Sequence, residues 1–157
     1  MGWAMSAEIK PVKPRVRGAQ SGGSFAKWGA TVRKMPPAKR IEMIRGGVKV
    51  TLLVGAGQYY GISQTKISKL LGVSDATITR KIKSGGKLGP MESERLARIA
   101  LIEAEAEEVF TSPDLAKRWM LESNLALGEP PLSLLDTDTG ADEVRKVLAA
   151  IAYGGVA

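Results

Sequence analysis

Gln64-Thr65-Lys66-Ile67-Ser68-Lys69-Leu70-Leu71-Gly72-Val73-Ser74-Asp75-Ala76-Thr77-Ile78-Thr79-Arg80-Lys81-Ile82-Lys83 is the stretch whose reading decides the fold. Ser63, just before it, is a good helix N-cap, and Ile67, Leu70 and Leu71 recur at helical spacing. Gly72 ends that helix by taking the positive φ that other residues resist. Ser74 caps a second helix, with Asp75 favourably placed in its first turn. Ser68 is small at the point where the two helices must cross. Ile78 and Ile82, four apart, are expected to point into the core, and Ser84-Gly85-Gly86 stops the second helix. Two short helices joined by Gly72-Val73-Ser74 make a helix-turn-helix. One position departs from the ideal: Lys81 stands where an apolar anchor is expected and Ile82 follows one place later, which reads as a small change of helix phase.

Charge is sorted along the chain around this motif. Residues 1–90 carry 17 Lys+Arg against 3 Asp+Glu, a net +14, and residues 91–157 carry 6 against 13, a net −7. A region as basic as the first gains from neutralising phosphates, because condensed counterions are released from the nucleic acid. The acidic second half is repelled by the same phosphates and implies a different partner. On the second helix, Thr77, Arg80 and Lys81 are the expected base-edge contacts, since Arg to guanine is the commonest specific pairing. Gln64, Thr65, Lys66, Lys83 and Lys87 are the expected phosphate contacts. The plainer alternative is an ordinary αα-hairpin with a solvated basic face.

Composition narrows the function classes. The chain has no His and no Cys, which excludes Ser-His-Asp triads, Cys-His pairs, imidazole or thiolate metal sites and disulfides. No catalytic residue, metal ligand or cofactor is assigned from the sequence. No apolar run reaches the roughly 18 residues that span a bilayer, and the N-terminus lacks an apolar signal core, so a cytoplasmic protein without a membrane partner is expected.

Residues 1–37 are rich in Gly, Pro, Ser, Lys and Arg. They are expected to form a flexible basic arm, a second grip on DNA or simply a solvated tail. Order is expected to begin after Met35-Pro36-Pro37, with a short helix over 38–45. Val48 to Val54 reads as a strand by propensity and equally as a buried helix. Gly55, Gly57 and Gly61 after that run imitate a dinucleotide-binding turn, but the mechanism needs a parallel sheet, and no further strands are visible. The favoured reading is a glycine-rich helix of the DNA-binding unit.

Downstream, Pro90 to about Phe110 has the spacing of a long helix, with Leu96, Ile99, Ile102 or Glu103, Ala106, Val109 and Phe110 on its apolar face. Glu103, Glu105, Glu107 and Glu108 are expected to crowd its exposed side. Ser112-Pro113-Asp114 starts another helix carrying Leu115, Trp119 and Met120, with Trp119 a core anchor. A turn follows, then a helical turn at 132–135 and a last helix from about Gly140 to Ala152.

Trp119, Asn124, Leu127, Gly128, Pro131, Leu134, Leu135, Thr137, Gly140, Val144, Leu148, Ile151 and Gly154 form a set that resembles the C-terminal toxin-binding domain of Xre/MbcA/ParS-type antitoxins. That family's upstream half is a Xre-like helix-turn-helix, so the resemblance spans roughly residues 40–157 and leaves out 1–37. It departs at Glu129, where a second Gly is usual. The resemblance implies a RES-domain toxin partner that consumes NAD⁺ or uses it for ADP-ribosylation, with the antitoxin's C-terminus covering the toxin's active-site cleft. Asn124, Gly128, Asp136, Thr137, Gly140, Tyr153, Gly154, Gly155, Val156 and Ala157 are the toxin contacts it implies.

The sequence is therefore expected to give an all-α protein with a flexible arm at 1–37, a helix-turn-helix domain at 38–89 and a small helical toxin-binding domain at 90–157. Its expected role is a non-enzymatic antitoxin that binds operator DNA as a homodimer. Two rivals are a helix-turn-helix regulator without a toxin and an NAD(P)-binding enzyme built on the glycines.

Overall fold

The computed structural model describes residues 16–154. Eight α-helices follow in order: α1 Val16–Lys34, α2 Pro37–Gly46, α3 Val50–Tyr60, α4 Gln64–Leu71, α5 Asp75–Ser84, α6 Pro90–Phe110, α7 Pro113–Leu121 and α8 Asp138–Ala152, with a 3-10 turn over Pro131–Leu134 before α8. The all-α expectation holds. The ambiguous run at 48–54 resolves as the start of α3, whose Val50, Leu53, Gly55, Ala56, Gly57 and Tyr60 are buried. Gly55 and Gly57 lie inside this helix, so no strand leads into a phosphate-binding turn there.

Order begins earlier than the sequence suggests. The expected arm over 1–37 is corrected within the described residues, because Val16–Lys34 is helical and packs on α3 and α6. Phe25 and Val32 are fully buried, and Trp28 packs against the same core. These three lie on one helical face, and Gly29 between them lets α1 approach α6: a Cβ there would come 2.8 Å from the Ala100 carbonyl oxygen. Arg40 of α2 donates to the Val32 carbonyl at 3.0 Å and closes the C-terminal end of α1. Residues 1–15, the rest of the expected arm, lie outside the described residues.

The two helices read first in the sequence form with the expected caps. Ser63 accepts from the Lys66 amide and Ser74 from the Thr77 amide, and Gly72 takes φ +74 at the turn. Ile67, Leu71 and Ile78 are fully buried. Arg95 of α6 donates to the Leu71 carbonyl at 3.0 Å, so the turn is held from below by the long helix.

α6 is the central strut. Leu96, Ile99, Ile102 and Ala106 belong to the same continuous core as Phe25 and Leu53 on one side and Met120, Leu135 and Val144 on the other. Phe110 and Trp119 pack as a tilted pair with ring centroids 5.7 Å apart and planes at 45°, and Trp119 is half-buried against that core, as expected of an anchor. Arg98 is nearly buried and clamps the last third of the chain to α6. It donates to the Leu135 carbonyl at 3.1 Å and pairs with Glu94 at 2.8 Å and with Asp138 at 2.5 Å.

Glu103 is a second correction. It was expected on the exposed side of α6 with its acidic neighbours, yet it is 2% exposed. Tyr60 donates to it at 2.5 Å and Tyr59 at 3.0 Å, while Tyr59 also reaches Glu107 at 3.1 Å. Phe25 lies 5.6 Å from the Tyr59 ring and 6.0 Å from the Tyr60 ring, sealing the cluster, and Lys117 sits over the Tyr59 ring at 4.3 Å. Burial lifts the Glu103 carboxyl to about 7, and Glu107 adds to the rise; the two tyrosine hydrogen bonds and Lys117 oppose it.

Two outcomes follow from this packing. Phe25→Ala should cost about 3–5 kcal/mol in urea unfolding, the usual loss for a buried aromatic ring. Because the folded state holds Glu103 above its ordinary value of 4.5, its stabilising contribution is complete below that pH and is lost as pH rises through about 7. Its full extent is about 3 kcal/mol. Glu103→Gln should flatten that part of the stability profile between pH 4 and about 8, and parallel profiles for the two proteins would exclude Glu103 as the titrating group.

Candidate functional site

The expected contacts on α4 and α5 separate into two groups. Arg80, Lys83 and Lys87 are exposed and take no part in the ion pairs of the described residues. Ala76, Thr79, Arg80 and Lys83 are all exposed and recur at i, i+3, i+4 and i+7, forming one outward stripe on α5. Ala76 and Thr79 were not picked out from the sequence. The signal that finds them is Ile78: once this residue alone anchors the helix, the outward stripe follows from the helical period.

The other expected contacts are engaged inside the motif. Gln64 donates to Thr79 at 3.5 Å, and Thr65 donates to Asp75 at 2.5 Å, so both tie the start of α4 to α5. Thr77 accepts from the Ser74 hydroxyl at 2.9 Å within the N-cap. Lys81 is half-buried, and its Nζ donates to the Lys87 carbonyl at 2.6 Å. The expected change of helix phase is corrected here. Ile82 is 40% exposed and does not reach the core, while Lys81 is half-buried with its ammonium on a backbone carbonyl. Lys66 is exposed on another side of α4. With Ile62, Lys69 and Leu70 it faces Leu121, Pro130, Leu132, Ser133 and Asp136 across a recess of about 270 Å³.

The C-terminal residues divide the same way. Asn124 builds its own loop: its Oδ1 accepts from the amides of Ala126 at 2.8 Å and Leu127 at 3.3 Å, and its carbonyl accepts from Gly128 at 2.7 Å. Leu125 is left fully exposed at the loop tip, a feature the sequence did not single out. Thr137 caps α8 by accepting from the Gly140 amide at 2.9 Å, and Gly140 is buried against the Leu134 carbonyl. Glu129, which replaces a usual glycine, accepts from Ser133 at 2.6 Å and braces the 3-10 turn. Gly128, Asp136, Tyr153 and Gly154 are exposed and open to a partner. Gly155, Val156 and Ala157 lie outside the described residues.

This order of parts, a capped helix-turn-helix running into a small helical unit through one shared helix, is matched by known proteins. Residues 39–101 match the profile of the antitoxin Xre-like helix-turn-helix domain. Residues 105–154 match that of the antitoxin Xre/MbcA/ParS C-terminal toxin-binding domain. An antitoxin Xre of Yersinia enterocolitica is 30% identical over 124 residues, covering 75% of this chain and 84% of the relative. The chain belongs to the Xre antitoxin family. An antitoxin Xre of Photorhabdus laumondii is 27% identical over 114 residues, covering 71% of this chain and 77% of that protein. A protein of Sphingobium named Prs ADP-ribosylating antitoxin is 28% identical over 131 residues, covering 77% of this chain and 82% of that one. The whole of α1 precedes the part of the chain that the two Xre domain profiles describe. Among the described residues no helix is long and apolar enough to cross a membrane.

If Arg80 reads a base, as its place on the outward stripe implies, Arg80→Ala should cost about 1–3 kcal/mol at one base position and relax preference there, measured by competition among single-base operator variants. Equal weakening on every sequence would make it a phosphate contact.

Proposed function

We propose that this antitoxin binds operator DNA through α5, as a homodimer on an inverted repeat, and neutralises a RES-domain toxin through its C-terminal unit, helix-turn-helix domain at 38–89 and toxin-binding domain at 90–157. The observation that carries the reading is the pairing of an unobstructed basic stripe on α5 with a toxin-binding domain match over 105–154 in one chain. An α-helix fits the major groove, and Arg80 and Lys83 are positioned to meet bases and backbone there. Two symmetric half-sites suit a two-fold dimer.

On the toxin side, α8 ends at Ala152, its C-cap Tyr153 is 90% exposed, and Gly154 beyond it is exposed as well. The residues that follow α8, Tyr153 to Ala157, are mostly small, and a segment of this kind fits a cleft shaped for a nucleotide, where it opposes entry of the substrate. Neutralisation in this reading is obstruction, which requires no catalytic group of the antitoxin. Asp136 and Asp142 are exposed near the start of α8 and are available to basic groups around such a cleft. Asp138 is drawn into the Arg98 clamp and serves the fold first.

Truncation after Ala152 separates the two activities. The shortened protein should bind duplex DNA as the full chain does and fail to block NAD⁺ consumption by the neighbouring toxin. Complete silencing of the toxin by the truncated chain would refute the terminal plug, and absence of any RES-domain gene next to this one would refute the partner.

A further inference from the structure

We propose that Lys49 and Lys87 form a phosphate clip beside the C-terminal end of α5 that holds the duplex backbone, a site that rests on the DNA-binding reading and adds to it a residue from a different helix junction. Lys49 and Lys87 are paired in an isolated antiparallel bridge. Hydrogen bonds on either side fix it: Leu88 donates to the Val48 carbonyl at 2.8 Å and Val50 to the Gly86 carbonyl at 3.1 Å. The Val48 amide is pinned in turn by the buried Ser93 hydroxyl at 2.9 Å. Val48, Val50 and Leu88 are buried, so the alternation of extended backbone sends Lys49 and Lys87 outward on one side.

Like charges directly opposite each other in such a pair are destabilising. Lys81 Nζ donates to the Lys87 carbonyl at 2.6 Å and so ties this junction to the end of α5. Neither Lys49 nor Lys87 has a carboxylate within 4.0 Å among the described residues. Glu42, which borders the same recess as Lys87, is paired with Lys39 at 4.0 Å. The C-terminal carbonyls of α5 account for cations on its last turn, such as Lys81 and Lys83. They do not account for Lys49, which arrives from the junction before α3. A fixed backbone carrying two opposed, uncompensated lysines on its outward side is suited to an anion. Beside the helix that enters the groove, that anion is a backbone phosphate, which point charges hold without reading sequence.

The test is Lys49→Ala in the full chain, with a labelled mixed-sequence duplex followed by fluorescence anisotropy over a range of salt. Binding should weaken several-fold at low salt. The slope of log affinity against log salt should become shallower by about 0.9, the share of one phosphate contact. Preference among sequences should be unchanged, Lys49→Arg should restore the slope, and the thermal midpoint should not fall, because a like-charge pair has been relieved. A lower midpoint with an unaltered slope would make Lys49 a purely structural residue and overturn the clip. A flat Lys49→Ala response beside a normal Arg80→Ala loss would overturn the clip alone. Failure of the wild-type chain to bind any duplex at low salt would remove the clip and the DNA-binding reading together.

Discussion

The carboxyl of Glu103, placed at the middle of α6 and hydrogen-bonded by Tyr60 and Tyr59, sets the condition under which the rest of this chain can pack. A bare carboxylate in a core carries a large desolvation cost, and the tyrosine hydroxyls reduce it only if α3 lies tightly on α6 with its last turn in register. Phe25 then has to seal the two rings, which brings in α1. Lys117 over the Tyr59 ring brings in α7. One polar group therefore fixes four helices relative to one another. Two of these belong to the helix-turn-helix half and its N-terminal extension, and one belongs to the C-terminal half.

That arrangement makes α6 a shared part and not a linker. It caps the helix-turn-helix through Arg95 on the Leu71 carbonyl and holds the C-terminal unit through Arg98 on Leu135 and Asp138. The apolar core is continuous across it. A flexible tether would let the halves act independently, with coupling limited to effective concentration. A packed strut instead gives the 3-10 turn, the start of α8 and the turn at Gly72 one common support in α6.

Much of this was legible in the residues. Ser63, Gly72, Ser74 and Ser112 fall where they cap, and the periodicity of Ile67, Leu71 and Ile78 points inward. These signals are local, so one helix and its neighbour suffice to read them. What escaped depends on distant partners. α1 is hidden in a composition of Gly, Ser and Lys, and its Phe25 and Val32 make sense only once Tyr59, Tyr60 and Ala100 are beside them. Glu103 falls on the apolar stripe of α6, where spacing alone marked the position as either Ile102 or Glu103; its charge argued for solvent, and the tyrosines that receive it are over forty residues away. Lys81 misled in the opposite sense. Its stem is apolar enough to be half-buried, and the carbonyl that takes its ammonium comes from the segment after the helix.

The candidate sites follow the same division between local and distant information. Residue type marked Gln64 and Thr65 as contacts and the family resemblance marked Asn124 and Thr137, yet each has a polar side chain adjacent to backbone or hydroxyl groups, and each is used to tie helices or build a turn or cap. Long cations and terminal residues lack such neighbours and remain at the surface. In a small helical protein, short polar side chains near helix ends are claimed first by the fold. The groups left for partners are those that the fold has no means to satisfy: Arg80 and Lys83 on the stripe of α5, the opposed Lys49 and Lys87, and the exposed end of α8. Apart from the Arg33–Glu108 pair, the ion pairs of the described residues stay within one half or the other, so the sorted charge of the two halves largely survives folding.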